Sequence, residues 1–265
     1  MPLRPLSASP NVSSAPDTRR VRHETKRRDL TVTRVEKVAP KMVRVVLQGP
    51  DLQGFTSLGF DDHVKLFLPS AQDGPAMRDF TPLRFDAAAG ELWIDFFLHQ
   101  AGPAASWASQ VSVGQSLTVG GPRGSFVISL EGIDAHVLIG DETALPAMSR
   151  RLSELPAGVS ALAVIETDAG SGGYPLESRA NLQVVRVPRG VQPDTTAGSQ
   201  LIDALRGIQF PAGQCFVWVA AESQVARALR RYLTDERGID KHWVKAAGYW
   251  QRGATGVHDS IADEV

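Results

Sequence analysis

The chain has almost no cysteine. Cys215 is the single thiol in 265 residues, so no disulfide framework can form within it and no cysteine-ligated zinc or iron–sulfur centre can be built. It sits in the apolar run "CFVWVA" and reads as a buried structural thiol. No stretch approaches the roughly 18 consecutive apolar residues of a membrane-spanning helix. An excess of charge of either sign is missing too, because 28 Lys and Arg face 29 Asp and Glu for a formal net charge of −1. That balance argues against nucleic acid or an anionic membrane as the main partner. The first residues hold no apolar segment of the export type, so the expected location is the cytoplasm. What remains is an ordinary globular composition, 43% hydrophobic and 22% charged, and enough chain for two domains of common size.

Three textures follow one another. Residues 1–28 are rich in Pro and Ser and end in the basic run "RRVRHETKRR". They read as a flexible, solvated tail, with a binding arm as the alternative. From Asp29 to Glu131, six short strand-like runs alternate with turn residues: "LTVTRVE", "MVRVVLQG", "HVKLFLP", "RDFTPLRF", "ELWIDFFLH" and "QSLTVGG". That spacing predicts an antiparallel barrel or sandwich. From 132 to 265, the apolar runs "AHVLIG", "ALAVIE", "LQVVRV" and "CFVWVA" alternate with helical patterns. One such pattern places Leu145, Met148, Leu152 and Leu155 on one face, and another places Val225, Leu229 and Leu233 together before Gly238. Apolar strands interleaved with helices predict a parallel α/β sheet.

Three local constellations carry chemistry. In "MRDFTPLRFD", alternation along a strand points Arg78, Phe80 and Arg84 to one side, with Thr81 beside them. Pro82 confines the segment to an edge or a bulge. Two guanidiniums and a ring on one face suit a flat, anionic guest. In "HQAGPAASWA", a strand ends at His99, Gly102 and Pro103 turn the chain, and a helix of small residues begins near Ala104. Such a start offers backbone N–H groups to a phosphate. In "IGDETALPAMSRRL", a strand ends at Gly140 and a helix begins near Pro146. Asp141 to Ala144 fill the loop between them, at the strand end where open α/β sheets bind ligands. No G-x-G-x-x-G dinucleotide fingerprint is present.

Taken in this order, the segments "DDHVKLFLP", "RDFTPLRFD", "ELWIDFFLHQAGPAASWA", "GGPRGSF", "GDETALPAMSRRL" and "GYWQRG" resemble the ferredoxin–NADP reductase superfamily. More closely they resemble the siderophore-interacting proteins, flavin-dependent ferric-siderophore reductases. The resemblance spans Asp29 to Gly253 and implies a six-stranded antiparallel Greek-key barrel that binds FAD, followed by a parallel α/β domain that binds NAD(P)H. It implies that Arg78 holds the FAD diphosphate while Phe80 and Thr81 contact the flavin and ribityl chain. His99, Gly102, Ala104, Ala105 and Trp107 would line the same cofactor. Gly140, Asp141, Glu142, Thr143 and Ala144 would lie near flavin and nicotinamide, and Glu222 near the dinucleotide. Tyr249 and Trp250 either cover the flavin face or pack the last strand on the barrel. Phe80, Leu83 and Gln251 depart from the family pattern, which carries Tyr, Arg and Arg there.

The implied activity passes electrons from NADPH or NADH through FAD to a ferric siderophore and releases Fe(II). No acid–base residue is assigned to the main step. Lys65, Arg123 and Arg252 are the cations expected to meet the anionic siderophore, and Lys65 could instead protect a sheet edge. Glu166 and Asp168 suit a ribose 2′-hydroxyl, while Arg150, Arg186 and Arg189 suit a 2′-phosphate. The alternatives are a reductase of the same layout with a ferredoxin or flavodoxin as acceptor, and a siderophore-binding protein without redox activity.

Overall fold

The computed structural model describes residues 15–70, 74–98, 102–190, 197–254 and 259–261. The first half consists of strands β1 (Thr18–Arg22), β2 (Arg27–Ala39), β3 (Met42–Gln48), β4 (Val64–Leu68), β5 (Ala76–Phe80), β6 (Arg84–Asp86), β7 (Glu91–Phe97), β8 (Ser116–Gly120) and β9 (Gly124–Ile128), with helix α1 (Pro103–Ala108) after β7. Seven of the strands form one antiparallel sheet in the order β5-β4-β8-β2-β3-β7-β6, and β1 pairs with β9 separately. The barrel therefore holds seven strands in its main sheet, where six were expected. The extra strand arises because "RDFTPLRF" is two strands rather than one.

Pro82 is the reason for the split. It has no N–H to donate to a ladder, and β5 stops at Phe80, before it. The Leu83 amide then donates to the Trp93 carbonyl at 3.0 Å, which begins the pairing of β6 with β7. β5 and β6 lie at opposite ends of the strand order yet are joined by Thr81, Pro82 and Leu83 alone. Four virtual bonds span about 15 Å at most, so the sheet must curl until its two edges meet. Arg84, expected beside Arg78, instead pairs with Asp86 at 2.7 Å and lies over the Trp93 ring.

The basic run also departs from expectation. Thr18–Arg22 is not a solvated tail but pairs residue for residue with Ile128–Gly124. Three arginines of β1 stay exposed, and Arg20 lies over the Phe126 ring at 5.4 Å. A ribbon wet on its outer face needs no apolar alternation, so the sequence pattern gives no sign of it.

The second half runs β10 (Ala135–Gly140), α2 (Leu145–Glu154), β11 (Ser160–Thr167), β12 (Asn181–Pro188), α3 (Ser199–Gly207), β13 (Cys215–Glu222), α4 (Ser223–Arg231), β14 (Val244–Trp250) and β15 (Asp259–Ile261). The sheet order is β12-β11-β10-β13-β14-β15, parallel except for β15 at the edge. The chain moves outward from β10 in one direction to β12, then returns to the other side of β10 with β13. The strand order thus reverses between β10 and β13, and ligands of such sheets bind at the carboxyl ends of the strands at that point.

The two halves share a core. Ala39, Met42, Phe60 and Ile128 of the barrel are buried in one cluster with Leu138, Met148 and Trp218 of the α/β half. Arg150 of α2 adds polar ties, donating to Ser57 Oγ at 2.8 Å, the Ser57 carbonyl at 2.9 Å and the Pro82 carbonyl at 3.0 Å.

Candidate functional site

A cavity of about 430 Å³ lies between the barrel and the carboxyl end of the α/β sheet. Arg78, Phe80, Thr81, Gly102 and Ala104 line it from the first half, and Asp141, Glu142, Thr143, Tyr249 and Trp250 from the second. Ten of the residues expected at the cofactor sites therefore converge on one space, joined there by Asp168, Arg189 and Gln251. His99 lies outside the described residues.

The barrel wall is aromatic and cationic. Phe80 stacks on Phe96 with ring centroids 4.6 Å apart, and Phe96 in turn meets Trp107 at 5.4 Å. Trp107 thus supports the wall from the core side. Ala105 is buried and does not line the cavity. The Arg78 Nη1 donates to the Met77 carbonyl at 2.8 Å, which leaves the other N–H groups of a five-donor fork at the cavity edge. Gly102 takes φ 135° before Pro103, a backbone conformation that side chains with a Cβ rarely adopt.

The α/β wall is an acid-bearing turn. Asp141 caps the strand-end loop, accepting from the Thr143 amide at 2.9 Å, from its hydroxyl, and from the Trp250 Nε1 at 2.8 Å. Burial raises the Asp141 pKa, and the bonds from Thr143 and Trp250 oppose the shift. Gly140 and Ala144 do not line the cavity. A Cβ on Gly140 would lie 2.2 Å from the Ala220 carbonyl and 2.6 Å from the Ala144 Cβ, so both are small in order to seat the turn on β13. Tyr249 is half-buried and meets Trp218 edge to face at 6.0 Å. Burial, then Asp61, holds its phenol well above the ordinary value, against a hydrogen bond with Thr81. Tyr249 therefore packs β14 against β13 and lines the cavity.

Several expected residues have other employment. Glu222 caps α4, accepting from the Gln224 and Val225 amides at 2.7 and 3.2 Å, and takes the Arg252 amide at 3.2 Å. It shapes the 250–253 turn and does not line the cavity. Arg252 and Arg123 are exposed and lie outside the lining, although Gln251 lies within it. Lys65 pairs with Asp79 across β4 and β5 at 2.7 Å, and Asp79 lines the cavity, so the lysine stands at its rim. Arg189 divides its three nitrogens among three carboxylates, Nε to Glu166 at 3.0 Å, Nη1 to Asp168 at 2.5 Å and Nη2 to Glu142 at 2.6 Å, and Arg189, Asp168 and Glu142 all line the cavity. Burial alone would lower the Arg189 pKa, but the carboxylates outweigh it and raise it.

One cluster escaped the sequence reading. Asp95, fully buried on β7, accepts a fork from Arg44 at 2.8 and 2.8 Å and the Tyr174 hydroxyl at 2.6 Å. Burial and Asp95 raise the Tyr174 pKa. The signal was present as opposite charges in the middle of two apolar strand runs, "MVRVVLQ" and "ELWIDFF".

A curled antiparallel barrel, a parallel α/β sheet and a cavity at the topological switch define the two-domain fold of ferredoxin-reductase-type flavoproteins. The ferredoxin reductase component of carbazole 1,9a-dioxygenase shares that fold at TM-score 0.63 and 15% identity, covering 83% of this chain and 68% of its own. The chain belongs to the siderophore-interacting protein family: residues 133–253 match the model "Siderophore-interacting protein", and residues 31–76 and 71–126 match the model "Siderophore-interacting FAD-binding domain". The NADPH-dependent ferric-chelate reductase of Escherichia coli is 36% identical, over 87% of this chain and 95% of its own. The ferric vibriobactin reductase ViuB of Vibrio cholerae is 28% identical over 84% and 89%. Among solved structures, a siderophore utilization protein from T. fusca aligns at TM-score 0.80 and 34% identity, covering 91% of this chain and 98% of its own.

The residues present fit the FAD that this family binds. A half-buried aromatic wall, an arginine fork at the edge and small residues at the α1 turn match a stacked ring, a diphosphate and a close backbone approach. The volume lies within the range of cofactor sites, about 300–1,000 Å³.

Proposed function

We propose that this flavin-dependent ferric reductase takes electrons from NADPH or NADH and delivers them to a ferric siderophore, with release of Fe(II). The observation that carries this reading is one cavity walled by the Arg78–Phe80–Thr81 segment on one side and by Asp141–Thr143 with Tyr249 and Trp250 on the other. FAD, when bound, accepts a hydride and gives up electrons singly, which joins a two-electron donor to a one-electron metal.

The chain's own part is placement. Arg78 anchors the diphosphate, and Phe80, fixed by Phe96 and Trp107, sets the plane of the ring. Tyr249 and Trp250 close the opposite side and exclude water. Trp250 is itself held by the buried Asp141. Lys65 and its partner Asp79 stand where an anionic chelate would approach. On donor choice two features pull apart. The E. coli relative is named for NADPH, but Arg189 is already clasped by Glu142, Glu166 and Asp168 and offers little to a 2′-phosphate.

The test is anaerobic. Purified protein is expected to be yellow and to yield FAD on extraction. NADPH or NADH should bleach it, and added ferric siderophore should restore the colour while a ferrous-specific dye reports one Fe(II) per electron. Bleaching with no dye signal, and reoxidation by ferredoxin or flavodoxin instead, would assign a protein acceptor. Colourless protein that binds the siderophore without turnover would end the redox reading.

A further inference from the structure

We propose that the basic segment 22–28 builds a second ligand site, specific for a small multivalent oxyanion and separate from the flavin cavity. A cavity of about 350 Å³ opens between the β1–β2 connection, the 53–56 loop and the Gly121–Pro122 turn. It shares no lining residue with the cavity at the domain junction. Arg22, His23, Lys26 and Arg28 line it, and Glu24 is its one acid.

Arg28 makes this a built site rather than a charged surface. It is only 4% exposed. Its Nη1 donates to the Gly121 carbonyl at 2.8 Å and the Lys26 carbonyl at 3.2 Å, and its guanidinium lies over the Phe55 ring at 5.1 Å. Its buried Nε has no hydrogen-bond partner among the described residues. A buried donor left without an acceptor is unfavourable, and Asp51 and Glu24 act on Arg28 only through space. Arg22 and Lys26 are exposed at the mouth.

His23 completes the wall. The Ser125 hydroxyl donates to Asp62 Oδ2 at 2.6 Å, so the His23 Nε2, 2.7 Å from the Ser125 Oγ, must be the donor to that hydroxyl oxygen. The ring is thereby fixed. Two arginines and a lysine, walled by little apolar surface, match an oxyanion of charge −2 or −3. Arginine forks suit the oxygens of phosphate and carboxylate alike. The shared chemistry is therefore a phosphate or phosphomonoester, or a polycarboxylate.

Calorimetric titration of the full flavin-loaded chain at low ionic strength, with inorganic phosphate in one arm and citrate in the other, tests this. One saturable site is expected for at least one probe, weakening as chloride rises. Uptake of phosphate alone assigns the phosphoryl class, and uptake of citrate alone the polycarboxylate class. Arg28 substitutions risk the fold, so the variant is Arg22→Gln/Lys26→Gln at the exposed mouth. It should weaken binding by at least about tenfold while flavin content and melting temperature stay unchanged. Lys65→Gln, at the flavin rim, should leave binding intact. Absence of saturable uptake for both probes, binding indifferent to the double substitution, or binding lost in Lys65→Gln would each overturn the assignment.

Discussion

The indole Nε1 of Trp250 donates to a carboxylate oxygen of Asp141 at 2.8 Å. One bond thus joins the end of β14 to the turn that follows β10, across the strand order, and steadies both lips of the α/β wall. Trp250→Phe removes the donor and leaves a buried carboxylate with less support. Burial already raises the Asp141 pKa, and the Trp250 bond lowers it, so the substitution should raise it further. A carboxyl whose folded pKa lies above its unfolded value loses folding stability as pH climbs between the two, because the unfolded chain releases the proton first. Urea unfolding should therefore show a deficit for Trp250→Phe of about 1–3 kcal/mol at pH 8, shrinking toward pH 5. An equal deficit at both values would mean that the bond contributes packing alone.

Arg78→Ala should loosen the flavin. Losing a charge-assisted fork costs about 1.5–3 kcal/mol, which corresponds to about 10- to 100-fold weaker FAD binding. The ratio of flavin to protein absorbance after gel filtration reads this directly. Retention equal to the parent would remove Arg78 from the diphosphate.

Lys65→Ala and Asp79→Asn should act in opposite directions on the acceptor. The two side chains form an ion pair at 2.7 Å, with the lysine about one-third exposed. Removing the cation should raise the apparent KM for an anionic ferric chelate several-fold, with flavin reduction by the nicotinamide unchanged. Removing Asp79 frees the ammonium and should lower that KM. If both half-reactions slow together in Lys65→Ala, the lysine serves the fold instead.

Arg44→Met and Tyr174→Phe should separate a buried charge from a domain tie. Asp95 has no exposed side-chain surface, so deleting Arg44 strands its charge and should cost about 3–5 kcal/mol. Burial alone would lower the Arg44 pKa, but Asp95 outweighs it and raises it. Tyr174→Phe removes one hydrogen bond and should cost about 1–2 kcal/mol. Chemical denaturation of both variants and of the double variant measures the coupling, which should be well away from zero.

The helices were legible because their signal is local. Leu145, Met148, Leu152 and Leu155, spaced for one helical face, are all fully buried, and Gly238 stands at φ 70° beyond the α4 region. The segment around Pro82 was legible in kind but not in place. Its residues reached the cavity as the alternation of Arg78 and Phe80 foretold, but Arg84 did not. The proline resets the pairing, and which partner each half takes is decided by barrel closure, a non-local event. β1 left no trace because a solvated ribbon needs none. An acid at a strand end, as Glu222 is, and a base on a helix, as Arg150 is, look alike in sequence whether they meet a guest or the chain's own backbone.

The seam at Thr81–Leu83 ties occupancy to integrity. Those three residues are the link between the outermost strands of the curled sheet, and Thr81 faces the cavity. A fluctuation that parts the two borders must pull away one side of the cofactor's berth, even with the central strands still paired. Flavin departure then becomes an early gauge of the barrel coming unzipped, ahead of any global melting.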